Sequence, residues 1–138
     1  MSSGQRVLVV DDDPAFVKAT KVVLESHGYQ VDTARDGDEG LAKMEQKKPD
    51  LVLLDVMMNW PLEGVHVSRE MMRRKDLRGI PIIMITCIVD TQYRDTFLQN
   101  EYLHIDSGLF KPCSPSALVA EVKRVLSVYE TRRSMVLR

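Results

Sequence analysis

The sequence predicts an α/β fold with a doubly wound, mainly parallel sheet. Two observations predict it. Short apolar runs alternate with amphipathic stretches, five of each, which is the pattern of repeated β-α units. The chemically active residues also sit directly after separate apolar runs. VLVV (Val7 to Val10) ends in Asp11 and Asp12, LVLL (Leu51 to Leu54) in Asp55, IIMI (Ile82 to Ile85) in Thr86, and Leu109-Phe110 in Lys111. If each run is a strand of one parallel sheet, three carboxylates, a hydroxyl and an ammonium meet at the carboxyl edge, where open α/β sheets bind ligands.

Each element follows in order. The first strand is VLVV, and the first helix starts at Pro14 with an aspartate as N-cap. That helix turns Phe16, Val17, Thr20, Val23 and Leu24 inward and stops at Gly28. Tyr29 to Ala34 reads as the second strand, and Asp36-Gly37 turns into a helix over Asp38 to Gln46. Pro49-Asp50 punctuates before the third strand. A longer loop, Val56 to Glu63, precedes a helix over Gly64 to Arg74, whose Met71 and Met72 read as core filler. Pro81 opens the fourth strand, Asp90 or Thr91 caps a helix running to about Asn100, and Gly108 to Phe110 forms a short fifth strand. Ser114-Pro115 is an N-cap followed by proline in the first helical position. Leu118, Val122, Val125, Leu126 and Tyr129 supply the stripe of the last helix, which the basic tail TRRSMVLR can prolong.

Length and composition narrow the function. At 138 residues the chain fits one domain, enough to bury roughly two thirds of its unfolded surface. With 19 basic and 20 acidic residues the formal net charge is -1, so no global field favours direct DNA binding or an anionic membrane. No apolar stretch reaches membrane-spanning length, and MSSGQR leads into a strand without an apolar leader, so a cytoplasmic protein is expected. Two cysteines are no disulfide framework; Cys87 and Cys113 read as buried free thiols. His27, His66 and His104 share no metal-like spacing and read as surface or helix-end residues.

Three acids brought together repel one another unless a cation sits among them. Mg²⁺ suits them: it is a hard ion that takes one or two carboxylates, waters and a phosphate oxygen, with Mn²⁺ as a substitute. A backbone carbonyl just past Asp55 can complete its shell. Asp55 then keeps an oxygen free to attack phosphorus, Lys111 offsets charge on the transferring group, and Thr86 donates a hydroxyl hydrogen bond. The run Asp11-Asp12-Asp13-Pro14 also reads as a helix cap, and Asp13 is the residue assigned to that job.

These residues resemble the receiver domains of two-component response regulators. The resemblance is carried by Asp11-Asp12 after VLVV, AxDGxEG from Ala34 to Gly40, DLVLLDVMM from Asp50, PIIMIT from Pro81 and FKP from Phe110, and it covers about residues 6 to 128. It implies a flavodoxin-like (βα)5 fold of strand order 2-1-3-4-5, with a short extension before residue 6 and a basic tail after residue 129. It implies that Asp55 is the phosphoacceptor, taking a phosphoryl group from a histidine kinase or phosphotransfer protein. Asp12 and Asp55 would ligate Mg²⁺ directly, Asp11 largely through water, with the Met57 carbonyl as a further ligand and Thr86 and Lys111 on the phosphoryl oxygens. Such a protein is no conventional enzyme; it catalyses its own phosphorylation and slow dephosphorylation, and the phosphorylated form switches affinity for a downstream effector protein. The implied assembly is a homodimer through the face of the 91–100 helix, the fifth strand and the last helix. With no effector sequence after the last helix, output runs through another protein, or the chain is a piece of a longer regulator.

Several positions depart from that family's pattern. Its usual Pro four residues after the phosphoacceptor and Gly eight after are Asn59 and Glu63 here; Pro61 and Gly64 suggest a one-residue insertion that presents Trp60. Cys87 stands where a smaller residue usually follows the threonine, and Gly108 where an aromatic switch residue usually stands, with Tyr102 as a weak substitute. The resemblance implies that Met57 and Ile88 flank the approach of a hydrolytic water; both are apolar, so a long-lived phosphorylated form is expected. Two rivals follow: a pseudo-receiver that binds a partner without phosphorylation, and a Mg²⁺-dependent phosphohydrolase with Asp11 as nucleophile and Asp13 as acid.

Overall fold

The computed structural model describes residues 4–60, 62–86, 107–111 and 113–137, with the side chains of 86, 107 and 132–137 outside the description. Five strands form one parallel sheet in the order β2-β1-β3-β4-β5: β1 Arg6–Val10, β2 Gln30–Ala34, β3 Leu51–Asp55, β4 Ile82–Thr86 and β5 Ser107–Phe110. The strand order is the one the resemblance implies. Helices α1 (Pro14–Ser26), α2 (Gly37–Gln46), α3 (Glu63–Arg73) and α4 (Pro115–Leu137) are the four among the described residues. The helix expected over 91–100 lies outside them, as do Cys87, Ile88, Tyr102 and His104. The expected dimer face that includes that helix is therefore described only in its β5 and α4 parts.

The sheet is covered on both sides, which is why its central strands are apolar without interruption. Leu8, Val10, Val52, Leu54, Ile82 and Met84 face a core completed by Leu41 and Met44 of α2 and Val65, Val67 and Met71 of α3. Val7, Val9, Leu51, Leu53, Ile83 and Ile85 face the opposite core, filled by Leu24 of α1 and Leu118, Val122, Val125 and Leu126 of α4. Phe16, Val17 and Val23 pack at the edge of this second core. Thr20 is buried as expected.

Helix boundaries follow their caps. Asp13 accepts from the Ala15 and Phe16 amides at 3.1 and 3.4 Å, so it is the N-cap of α1. At the other end, Gly28 takes φ +91°, a left-handed value that a side chain would strain. Helix α2 begins one residue earlier than the sequence suggests, because Asp36 caps it through the Glu39 amide at 2.8 Å. The last helix continues through the basic tail to Leu137. One expectation is only half met. Met71 is fully buried, but Met72, one residue round the helix, is 44% exposed and fills no core.

Candidate functional site

Register brings the active residues to one edge. Val10 pairs with Leu54 and Asp55 with Ile85, so Asp11 follows β1 level with Asp55 at the end of β3. Thr86 pairs with Phe110, and Lys111 follows directly. Strand β1 has β2 on one side and β3 on the other, so this edge is where the chain's winding reverses.

Carboxylate oxygens of Asp11, Asp12 and Asp55 lie within 4.8 Å of one another. Asp11 and Asp55 are 2% and 3% exposed, whereas Asp12 opens to solvent. The Lys111 ammonium donates to Asp11 Oδ2 at 2.7 Å and stands 3.9 Å from Asp55 Oδ2. It also lies 4.2 Å from the centre of the Phe16 ring, whose face favours a cation. The Asp13 amide donates to Asp11 Oδ1 at 2.9 Å, and the Met57 amide to Asp55 Oδ1 at 3.3 Å. Asp11 is thus held by an ammonium and an amide.

Burial, reinforced by the charge of Asp11, pushes the Asp55 carboxyl up to about 7, and Lys111 and the Met57 amide only partly offset it. Burial works against charge on Lys111 too, but its hydrogen bond to Asp11 and the charges of Asp11 and Asp55 prevail and hold its pKa above the ordinary lysine value. The site therefore has more negative charge than it can comfortably hold. An all-oxygen set with one open, exposed carboxylate fits a hard divalent cation.

Other sequence expectations fall into place around this edge. Asp13 caps α1 and does not join the acids. Cys113 is half-buried rather than buried; burial raises its thiol pKa, against the pull of Lys111. It lines a cleft of about 400 Å³ with Asp13, Phe16 and Lys111. Trp60 is 48% exposed, with its ring tilted against His66 at 5.8 Å. His66 is exposed, as a surface histidine should be.

Two features escaped sequence reading. Gly64 allows α3 to start against the end of β3: a Cβ there would lie 2.1 Å from the Asp55 carbonyl oxygen. Glu63, beside it, is a buried carboxylate, and the only signal was an acid standing just before that glycine at a helix start.

A fold of this order with acids and a lysine at its switch point defines a signal receiver, and comparison with known proteins agrees. The response regulator receiver domain model matches residues 7–123. The chain belongs to that family. It is 40% identical over 123 residues to the alkaline phosphatase synthesis transcriptional regulatory protein PhoP of Bacillus subtilis, covering 89% of this chain and 49% of that protein. It is 39% identical over 119 residues to the DNA-binding response regulator MtrA of Mycolicibacterium smegmatis, covering 86% and 49%. The chain thus spans about half the length of these relatives. Among solved structures, a CheY-like response regulator receiver domain protein from Methanospirillum hungatei superposes with a TM-score of 0.80 at 31% identity, over 94% of this chain and 99% of that one. The receiver domain of a sensor histidine kinase from Pseudomonas aeruginosa, solved with magnesium coordinated in its active-site cleft, gives 0.79 at 27% identity, over 91% and 99%. Among the described residues no helix is long and apolar enough to cross a membrane.

Proposed function

We propose that this receiver domain accepts a phosphoryl group on Asp55 from the phosphohistidine of a histidine kinase or phosphotransfer protein. The observation that carries the proposal is the site of Asp55: buried at the end of β3, with Asp11 and Asp12 within 4.8 Å and the Lys111 ammonium at 3.9 Å. A carboxylate oxygen of Asp55 attacks phosphorus, the phosphorus–nitrogen bond breaks, and its electron pair returns to the imidazole, which takes up a proton. Asp12, Asp55 and the Met57 carbonyl would hold Mg²⁺, with Asp11 in support through water, and Mn²⁺ could stand in. The ion supplies charge neutralisation at the transferring oxygens. Lys111 stays an ammonium and moves its contact from Asp11 toward the phosphoryl group, while Thr86 donates its hydroxyl.

The added charge and acceptor oxygens reorganise the strand ends and change affinity for a downstream effector protein. The relatives carry names of transcriptional regulators and are twice as long; we assign this chain the receiving half, working in the cytoplasm without DNA contact of its own. Met57 and Ile88, both apolar, slow hydrolysis by failing to orient a water. A phosphohydrolase with Asp11 as nucleophile and Asp13 as acid fits less well, since Asp13 is spent capping α1. A pseudo-receiver has no need of a full acid cluster.

The test uses phosphoramidate, a small donor with a phosphorus–nitrogen bond. With Mg²⁺ the chain should gain one phosphoryl group by intact mass, and with EDTA or in Asp55→Ala it should gain none. Labelling that ignores both changes refutes the reading.

A further inference from the structure

Glu63 is a buried carboxylate that the chemistry above does not use. It opens α3 and is 5% exposed. Each of its oxygens meets a backbone amide from a different element. Oε2 accepts from the Gly37 amide, the first residue of α2, at 2.6 Å, and Oε1 accepts from the Asn59 amide at 2.9 Å. Asn59 lies in the 56–62 loop, two residues beyond Met57. A buried charge is tolerated only when its lone pairs are met, and bonds to a carboxylate are stronger than neutral ones.

The same loop is tied at its base. The Gly64 amide donates to the Val56 carbonyl at 2.9 Å, and the Glu63 amide to the Trp60 carbonyl at 3.2 Å. Leu62, between them, holds a left-handed φ of 67°, a conformation a leucine keeps only when its surroundings enforce it. Helix α2 presses on the same point, since a Cβ on Gly37 would lie 3.1 Å from Glu63 Oε2 and 2.7 Å from Val67 Cγ2.

We propose that Glu63 is a positioning residue for the metal site: by fixing the Asn59 amide against the start of α2, it sets the loop that presents the Met57 carbonyl, and so sets Mg²⁺ affinity. The inference rests on the reading of Met57 as a ligand. Glutamine at this place has the same shape, yet its amide nitrogen cannot accept a hydrogen bond, so it satisfies one of the two amides and turns a donor toward the other. Aspartate keeps the charge but is one methylene too short to reach both.

The experiment compares wild type, Glu63→Gln and Glu63→Asp in three measurements: calorimetric Mg²⁺ titration, phosphoramidate phosphorylation rate against Mg²⁺ concentration, and urea unfolding in EDTA. In the glutamine variant, Mg²⁺ affinity of the folded protein should fall about tenfold, the usual cost of losing a group that orients a metal ligand. The Mg²⁺ concentration for half-maximal rate should rise by the same factor, while the rate at saturating Mg²⁺ stays near wild type. The aspartate variant should lie between, and it decides the matter if the glutamine variant does not fold. Lower stability with unchanged Mg²⁺ affinity would make Glu63 merely structural and overturn the proposal. A wild type that fails to bind Mg²⁺ would refute the site itself, and this inference with it, whereas normal wild-type binding matched by both variants would refute only the positioning role.

Discussion

Removing the Asp55 charge should stabilise the metal-free protein, and by an amount that depends on pH. Asp55 is 3% exposed and its carboxyl is pushed up to about 7, first by burial and then by Asp11. In the unfolded chain it ionises near 3.8, the ordinary value for an aspartate. Between those values the folded state holds a proton that the unfolded state has released, so stability falls as pH rises. The slope is up to about 1.4 kcal/mol per pH unit, levelling off above about 7. Asp55→Asn keeps the size and the acceptor for the Met57 amide but cannot ionise. In EDTA, the variant should therefore be more stable than wild type at pH 8, and this advantage should shrink by on the order of 2 kcal/mol at pH 5. Taking the difference between the two proteins cancels every group they share. Saturating Mg²⁺ should narrow the variant's advantage at pH 8, since at a hundred times its dissociation constant a ligand adds about 2.7 kcal/mol to the protein that binds it. Urea unfolding at the two pH values, with EDTA and with Mg²⁺, reads all of this. A wild type more stable than the variant in EDTA at pH 8, by a margin that grows with pH, would mean that Lys111 outweighs burial and Asp11.

Three further outcomes are expected. Gly64→Ala places a Cβ 2.1 Å from the Asp55 carbonyl oxygen, so α3 must shift; unfolding should show a loss of about 1–3 kcal/mol or more, together with slower phosphorylation. Lys111→Met leaves Asp11 buried without its cation and should cost about 3–5 kcal/mol, whereas adding Asp11→Asn should recover part of that loss in a double-mutant cycle. The phosphorylated form should decay about tenfold faster in Met57→Asn with Ile88→Glu once donor is removed, the effect of roughly 1.4 kcal/mol from a positioned water; equal decay would show that these side chains do not set the lifetime.

The strand ends were legible in the sequence because unbroken apolar runs stop directly at Asp11, Asp55, Thr86 and Lys111, and a sheet covered on both faces demands such runs. Local caps were legible for the same reason: Asp13-Pro14 and Ser114-Pro115 act over a few residues. What stayed hidden depends on contacts between distant segments. Nothing in the spacing joins Glu63 to Gly37 across 26 residues, or places the Phe16 ring under Lys111. The preference of Lys111 for Asp11 over Asp55 is likewise a matter of geometry, not of pattern. Met72 shows the limit of composition, since a methionine beside a core methionine points to solvent when the helix turns it there.

The central claim is that Asp55 carries the phosphoryl group. Phosphoramidate and Mg²⁺ are added, the acyl phosphate is trapped with borohydride, which reduces an aspartyl phosphate to homoserine, and the modified residue is located by peptide mass spectrometry. The account predicts homoserine at position 55 alone, and none when EDTA replaces Mg²⁺. Homoserine at position 11 or 12, or labelling that persists elsewhere in Asp55→Ala, would contradict it.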